Sequence, residues 1–226
     1  YLTRYPHPSL QAADWLDLAA VATVADIVPL TGENRAIVRA GLAVIQQGKR
    51  LGLNALIGAA GMQVNAVKAS NIAFGIGPRI NAAGRIESAQ AALRLLTSHD
   101  PHEASLLAQN LDDLNSRRQA ETIDVQRIAE EQALASDESH LIYAESPDFH
   151  MGVVGLAAGR LTETYYRPSV VVSLGADYAR ASCRSIPEFH ITHALDECKD
   201  LFDPNDGERY GGHAAAGLRV FFWMEI

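Results

Sequence analysis

The feature that most constrains the fold is a long stretch, residues 102–146, that contains neither glycine nor proline. At its start, Asp100, Pro101 and Glu103 occupy positions that suit an N-cap, the first helical residue and the end of a capping box. Alanine and leucine then recur at helical spacing, and Val125 and Ile128 resume this spacing after a polar middle. The pattern predicts one helix from about Pro101 to Ala135, which is long for a globular domain and typical of a connector between two bodies.

The hydrophobic period changes across this helix. Before it, apolar residues recur at helical spacing in several short segments. After it, short β-rich runs alternate with two helical segments. The sequence therefore predicts an α/β protein, in which a helical first body (residues 1–100) and a connector helix (101–136) precede a small mixed-sheet α/β body (137–226). The predicted strands are 140–144, 169–174, 178–183 and 218–223.

The charge of the chain excludes one class of function. A formal net charge of −8 over 226 residues argues against a protein that coats nucleic acid non-specifically. The charges are segregated, however, because several arginines lie in Gly-, Ser- or Ala-rich segments while acidic residues crowd the helical segments. This segregation favours a local site for an anionic ligand.

Cysteine content and hydropathy bear on location. Cys183 and Cys198 form neither a CxxC motif nor part of a zinc-binding set, so a reducing compartment is expected. No apolar run reaches the length of a membrane span, and no signal peptide is visible. We therefore predict a cytoplasmic protein without a membrane partner. Because the sequence opens without methionine, we interpret it as part of a longer protein.

The segment Gly77–Ile86 (GPRINAAGRI) has the composition of a phosphate-binding loop. Its glycines let the backbone approach a ligand closely, Pro78 stiffens the entry, and arginine matches the geometry of phosphate. The candidate contacts are Arg79, Asn81 and Arg85. The alternative is a turn between helices whose arginines are merely solvated, and composition alone does not separate the two.

Asp26 interrupts an apolar stretch, residues 19–30, just before Pro29. A carboxylate inside an apolar run is costly unless it is paired or binds a metal. Asp26 is therefore a candidate metal ligand. The alternative is an aspartate at a helix end that hydrogen-bonds to the nearby backbone.

Ser182 and Arg184 lie two apart on a predicted strand, so their side chains point to the same face. A hydroxyl and a guanidinium side by side can hold one phosphate group. The alternative is a solvated sheet face. The glycines Gly152, Gly155 and Gly159 upstream do not fit a dinucleotide-binding fingerprint, and close helix–sheet packing is the favoured explanation for them.

Two glycines directly before a histidine, Gly211, Gly212 and His213, form a further candidate site. Such a loop offers backbone N–H groups to an anion, with the imidazole beside them. A tight turn with an incidental histidine is the alternative.

Five motifs in a fixed order give the sequence a family resemblance. They are LDLAAVATVADIVPL (16–30), GPRINAAGRI (77–86), MGVVGLAAGRL (151–161), SCRSI (182–186) and the glycine–glycine–histidine loop at 211–213. Together they resemble the RecJ single-strand-specific DNA exonucleases of the DHH phosphoesterase superfamily. The similarity runs over nearly all of the chain.

The resemblance implies a fold and an activity. It implies a DHH domain joined by a long helix to a DHH-associated α/β domain, and hydrolysis of single-stranded DNA from its 5′ end. It also implies two divalent cations, Mn²⁺ or Mg²⁺, and roles in DNA repair and recombination. Such metal pairs activate water and stabilise both oxygens of an in-line displacement. Single-strand-binding protein is a possible partner.

The resemblance also implies roles for individual residues. Asp26 matches the family's last metal-ligating aspartate, and Arg85, with Arg79 and Asn81 nearby, matches the loop that meets phosphate beside the metals. Ser182 and Arg184 match a pair that captures the terminal 5′-phosphate. The loop of Gly211, Gly212 and His213 matches one that grips the substrate backbone, although only three residues separate His213 from the next glycine, where four are usual.

The other metal ligands of the superfamily, including its Asp-His-His triplet, are expected upstream of this chain. We therefore interpret the chain as the C-terminal part of a catalytic core and predict no nuclease activity for it alone. Two alternatives stay open at this point. One is a hydrolase of short oligonucleotides or cyclic dinucleotides, and the other is a catalytically silent relative that binds DNA as a scaffold.

Overall fold

The structure is a computed structural model that describes residues 11–135, 140–176 and 179–198, and the backbone of 218–222. The chain divides into two compact units, Tyr1–Arg117 and Arg118–Ile226. The division falls inside the long helix. The α-helices of the first unit's described residues are α1 (Leu16–Ala25), α2 (Gly32–Ile45), α3 (Leu51–Ala59), α4 (Ala69–Asn71), α5 (Gly77–Ile86), α6 (Gln90–Thr97) and α7 (Pro101–Ala135), which continues into the second unit.

The core of the first unit forms where apolar helix faces meet around α3 and the helical run that contains α5. Large side chains there are fully buried, among them Leu53, Leu56, Ile57, Ile72 and Ile76. The helices α1 and α2 cross very closely at Gly41, where a Cβ atom would lie 2.2 Å from the carbonyl oxygen of Leu16. A residue without a side chain is therefore required at this crossing.

A buried ion pair ties α1 to the start of α3. Asp17 is only 3% exposed, and its two carboxylate oxygens accept hydrogen bonds from Arg50 Nε at 2.5 Å and Nη2 at 3.1 Å. Arg50 Nη2 also donates to the carbonyl of Asp14, and the guanidinium lies over the Trp15 ring. This bidentate pairing satisfies a carboxylate that would otherwise be costly to bury.

The predicted loop at Gly77–Ile86 is wrong, because the segment is the α-helix α5. A π-helical turn, Ile72–Ile76, joins it to α4, and a 3-10 turn, Val64–Ala66, precedes α4. Pro78 suits the first turn of a helix, where its missing N–H is tolerated. The buried alanines of NAAG pack the segment onto the core.

The predicted start of α7 is confirmed, but the predicted capping box is wrong. Asp100 Oδ1 accepts a hydrogen bond from the N–H of His102 at 2.8 Å, as an N-cap residue does. Glu103 instead accepts hydrogen bonds from Ser98 Oγ at 2.7 Å and from Arg94 Nη2 at 2.6 Å. Both hydrogen bonds lower the pKa of the Glu103 carboxyl, and the bond from Ser98 has the larger effect.

The second unit contains the predicted strand–helix–strand arrangement. Strands β1 (Ile142–Ser146) and β2 (Ser169–Leu174) are parallel and are joined by α8 (Met151–Tyr165). Strands β3 (Ala179–Arg184) and β4 (Leu218–Phe222) extend the sheet in antiparallel fashion, in the order β1-β2-β3-β4. The predicted mixed sheet is therefore confirmed.

Helices cover both faces of this sheet. The helix α8 packs on β2 and β3. On the opposite face, Ala181 and Cys183 of β3 form an apolar cluster with Ile191 and Leu195 of α9 (Ile191–Glu197). Polar residues of β3 alternate with these buried ones and face α8, so strand periodicity decides which side chains reach which layer.

The side chain of Gln132 in α7 makes two hydrogen bonds to the backbone of Glu145. Its Nε2 donates to the carbonyl oxygen at 2.9 Å, and its Oε1 accepts from the N–H at 3.0 Å. These bonds connect the C-terminal part of α7 to β1 within the second unit.

Within the described residues, no helix is both long and apolar enough to cross a membrane. The predicted boundaries of the two bodies and the connector stay a prediction.

Candidate nucleic-acid interface

Asp26 is the C-cap residue of α1 and is exposed to solvent. Its backbone N–H donates to the carbonyl of Ala22 at 3.0 Å. The end of α1 lies against the start of α5, because a Cβ atom at Gly77 would lie 3.2 Å from Ala25 Cβ. The structure therefore places the candidate metal ligand beside the helix that carries the candidate phosphate contacts.

The residue after Asp26 has an unusual backbone conformation. Ile27 has φ +56° and a side chain that is 89% exposed. Its N–H donates to the carbonyl of Val24, and the N–H of Val28 donates to the carbonyl of Thr23, so the end of α1 is a Schellman motif with isoleucine where glycine is usual. A β-branched residue in the left-handed region is strained, and such strain clusters at functional sites.

Arg79 lies on the side of α5 that faces α7. Its Nε and Nη2 are each 2.7 Å from Asp112 Oδ1, and its Nη1 donates to the carbonyl of Gly75 at 2.9 Å. The Arg79 side chain is 17% exposed. This geometry suits a residue that holds α5 and the preceding π-helical turn against α7.

Asn81 and Arg85 lie on another side of α5, and both are exposed. At about 100° per residue, Asn81 and Arg85 are separated by roughly 40° around the helix, whereas Arg79 and Asn81 are separated by roughly 200°. The structure thus brings Asn81 and Arg85 onto one exposed face and does not bring Arg79 to it. The backbone N–H of Gly77, at the start of α5, donates to the carbonyl of Ile72.

In the second unit, Ser182 and Arg184 lie on the same face of β3, as the alternation predicts. Arg184 Nη1 is 3.3 Å from Ser182 Oγ and donates to the carbonyl of Cys183 at 2.8 Å. Both residues are half-buried. The hydroxyl and the guanidinium therefore lie side by side, and the face is covered in part by α8 rather than fully solvated.

Two glycines of α8 lie over this pair. A Cβ atom at Gly155 would be 2.9 Å from Ser182 Oγ and 3.3 Å from Arg184 Nη2, and one at Gly159 would be 3.9 Å from Arg184 Nε. The predicted close helix–sheet packing is thus present at Gly155. We call Ser182 and Arg184, with Gly155 packed against them, the β3 slot.

The thiol of Cys183, between the two slot residues in the sequence, is unreactive. Burial raises the pKa of Cys183 to about 12, and the positive charge of Arg184 offsets only part of this effect. Cys183 therefore stays a protonated thiol at neutral pH and acts as an apolar core residue.

The two remaining candidate features are the loop at 211–213 and the site for a metal pair. Gly211, Gly212 and His213 lie outside the described residues. Residues 11–135, 140–176 and 179–198 contain no group of three or more His, Cys, Asp or Glu side chains placed to hold a metal ion. A single carboxylate, Asp26, does not hold a pair of divalent cations, so these residues do not fit the pair without additional ligands.

Sequence reasoning missed two features of these sites. Nothing in the sequence indicated that Asp112, 33 residues away, would engage Arg79, because such a pair depends on tertiary structure. The strained turn at Ile27 was also missed, although the Asp-Ile-Val-Pro order, with a helix stop and no glycine, was a usable signal.

Comparison with known proteins decides the relationship. A comparison with models of protein families finds no match. The exonuclease RecJ of Bacillus subtilis, described as single-stranded-DNA-specific, is 38% identical over 212 residues, which is 91% of this chain and 26% of that protein. RecJ of Thermus thermophilus is 39% identical over 208 residues, covering 92% and 29%. The crystal structure of Thermus thermophilus RecJ in complex with Mn²⁺ superposes with a TM-score of 0.82, at 38% identity, over 99% of this chain and 32% of that one.

The chain is homologous to the RecJ exonucleases. It spans about a quarter to a third of the length of the relatives named above. The predicted fold class is confirmed, since similarity to a RecJ structure extends over nearly the whole chain.

Proposed function

We propose that this chain is the substrate-binding part of a metal-dependent exonuclease that degrades single-stranded DNA in the 5′→3′ direction. Homology to RecJ supports the substrate class and the involvement of Mn²⁺ or Mg²⁺. The single observation that carries the proposal is the β3 slot, where Ser182 Oγ and the Arg184 guanidinium lie 3.3 Å apart in a half-buried position.

The slot residues would bind the terminal 5′-phosphate. A guanidinium and a hydroxyl donate hydrogen bonds to phosphate oxygens, and charge-assisted bonds of this kind contribute about 1.5–3 kcal/mol each. Because a terminal phosphate carries more charge than an internal phosphodiester, the pair favours a chain end over the middle of a strand. This preference would give the enzyme its polarity.

In the first unit, Asn81 and Arg85 would contact the DNA backbone near the reacting phosphate, and Asp26 would be one ligand of the metal pair. The strained turn after Asp26 and the π-helical turn before α5 support a functional role for this end of the unit. Because Arg79 is engaged by Asp112, we assign it a positioning role rather than the expected phosphate contact. The loop at Gly211, Gly212 and His213 stays a candidate for contact with the DNA backbone.

The bound metal pair would supply activated water and charge stabilisation at the reacting phosphate. The described residues alone do not hold it, so the proposal includes no hydrolysis by this chain in isolation. A cytoplasmic location, roles in DNA repair and recombination, and an interaction with single-strand-binding protein belong to the same proposal. No observation favours either of the two alternative functions.

The experiment is a binding titration of the 226-residue chain with a fluorescent single-stranded oligonucleotide and with the matched duplex, at several salt concentrations. We expect tighter binding to the single strand. The logarithm of its association constant should fall with the logarithm of salt at a slope of about −1.4 to −2.1, as two or three phosphate contacts predict for a single strand. Equal affinity for the two DNAs would contradict the substrate class. Release of mononucleotides by the isolated chain with Mn²⁺ would contradict the predicted inactivity.

A further inference from the structure

We propose that Gly155 is a positioning residue that fixes the geometry of the Ser182–Arg184 pair and thereby sets the preference for a phosphorylated DNA end. This inference rests on the proposed function, because it deepens the role of the β3 slot. In this positioning role Gly155 does not contact the substrate. It acts through the two side chains on which α8 lies.

Residue 155 of α8 lies very close to the side chains of Ser182 and Arg184. The position that a Cβ atom at residue 155 would take is 2.9 Å from Ser182 Oγ and 3.3 Å from Arg184 Nη2. A side-chain Cβ does not approach another heavy atom below about 3.0 Å, so an alanine here would displace Ser182 Oγ, and Arg184 Nη2 would have to give way by a few tenths of an ångström. The Cβ of Ser182 itself is 3.6 Å from the same position, which is an ordinary contact.

The displaced atoms are the functional ones. Ser182 Oγ sits on a single torsion with three staggered positions, so the cheapest relief of the contact is rotation of the hydroxyl away from Arg184. Arg184 would shift at Nη2, while its Nη1 is bound to the carbonyl of Cys183 at 2.8 Å. The hydroxyl and the guanidinium would then no longer face one phosphate together.

The fold of the unit should survive this change. Both atoms that an added methyl would meet closely belong to half-buried side chains rather than to backbone. Alanine is also a better helix former than glycine in the middle of α8. The expected effect is therefore on recognition rather than on folding.

Gly159 supplies a matched control one turn further along α8. A Cβ atom there would lie 3.9 Å from Arg184 Nε, which is an ordinary van der Waals distance. The substitution Gly159→Ala thus adds the same methyl group to the same face of the same helix without displacing the pair.

The experiment measures the dissociation constants of the 226-residue chain for a 3′-labelled single-stranded oligonucleotide that carries either a 5′-phosphate or a 5′-hydroxyl. Gly155→Ala should reduce the ratio of the two constants by about tenfold, the effect of losing one charge-assisted bond. Gly159→Ala should keep the wild-type ratio. Circular dichroism and thermal unfolding of each variant report whether the unit is folded.

A double-mutant cycle with Ser182→Ala tests the route of the effect. If Gly155→Ala acts through the Ser182 hydroxyl, it should change the ratio much less when that hydroxyl is already absent, so the two substitutions should not be additive. Additive effects, or an unchanged ratio in Gly155→Ala, would overturn the inference. Failure of Gly155→Ala to fold would also overturn it, since Gly155 would then be required for packing.

Failure of the proposed function gives a different result. If the wild-type chain binds both oligonucleotides equally, the slot does not recognise an end phosphate, and the proposed role of Ser182 and Arg184 is wrong together with the inference. If the wild type discriminates and Gly155→Ala discriminates equally well, the role of the slot stands and only the inference is overturned.

Discussion

Ile27 shows how one residue can carry a local cost next to a candidate site. It occupies the C′ position of the Schellman motif at the end of α1, with φ +56°, and its side chain is 89% exposed. The left-handed conformation costs a residue with a side chain roughly 1–2 kcal/mol, and solvent exposure provides little burial to offset it. The cost falls directly after Asp26, the proposed metal ligand.

Replacement of this residue by glycine should therefore stabilise the chain. Glycine adopts the left-handed region freely but loses more chain entropy on folding, so the expected net gain for Ile27→Gly is about 0.5–1 kcal/mol. The measurement is the free energy of unfolding from denaturant titration at a fixed temperature.

Ile27→Ala is the matched control, because it removes the β-branch but keeps the Cβ that causes the strain. It should recover less of the stability than Ile27→Gly. A decrease in stability for the glycine variant would show instead that the isoleucine side chain makes stabilising contacts in solution.

Residue-level features were predictable where they depend on local periodicity. The common face of Ser182 and Arg184 follows from strand alternation, and the structure has the two side chains 3.3 Å apart. The pairs Asp17–Arg50 and Arg79–Asp112 were not predictable, because each joins residues 33 positions apart that meet only through helix packing.

At the scale of elements, the helix α5 was the main error. Two glycines and a proline in ten residues suggested a loop, yet Pro78 lies in the first turn and Gly77 packs closely against Ala25 of α1. Tertiary packing overrode the low helix propensity of the segment. The consequence for the site is concrete, since the helix separates Arg79 from Asn81 and Arg85.

Glycines in the helices of the first unit have opposite expected effects. Gly41→Ala should destabilise the chain by about 1–3 kcal/mol or more, because the added methyl would lie 2.2 Å from Leu16 O and 2.4 Å from Ala20 Cβ. Both are parts of a closely packed helix pair that cannot separate without losing buried contacts. Thermal or denaturant unfolding measures the effect.

Gly58 of α3 is the matched control for this prediction. Apart from its two chain neighbours and the backbone of its own helix, no atom lies within 4 Å of the position that its Cβ would take. Gly58→Ala should therefore stabilise the chain by about 0.5–1 kcal/mol through helix propensity alone. Equal effects of the two substitutions would contradict the close crossing of α1 and α2.

At the scale of the whole molecule, the order of the helical and sheet-containing parts along the chain was predictable from the sequence. Most of the glycine- and proline-free stretch forms α7, and the change of period after this helix corresponds to the mixed sheet of the second unit. The regular periods of long elements survive in any packing, which is why they are readable from sequence. The role of Asp26 as a metal ligand stays a prediction, because the described residues contain no group of three or more His, Cys, Asp or Glu side chains placed to hold a metal ion.

The charge of the molecule fits the proposed function. A net charge of −8 opposes non-specific attachment to DNA, so binding has to rely on local arginines such as Arg85 and Arg184. The affinity of this chain should then depend on a few defined phosphates rather than on the length of DNA covered.

The most direct test of the central claim is the preference of the chain for a 5′-phosphorylated over a 5′-hydroxylated single strand, measured by fluorescence anisotropy for the wild type and for Arg184→Ala. We predict that the wild type binds the phosphorylated strand at least tenfold more tightly and that Arg184→Ala loses most of this preference while remaining folded. An unchanged preference in Arg184→Ala would show that the β3 slot does not bind the terminal phosphate.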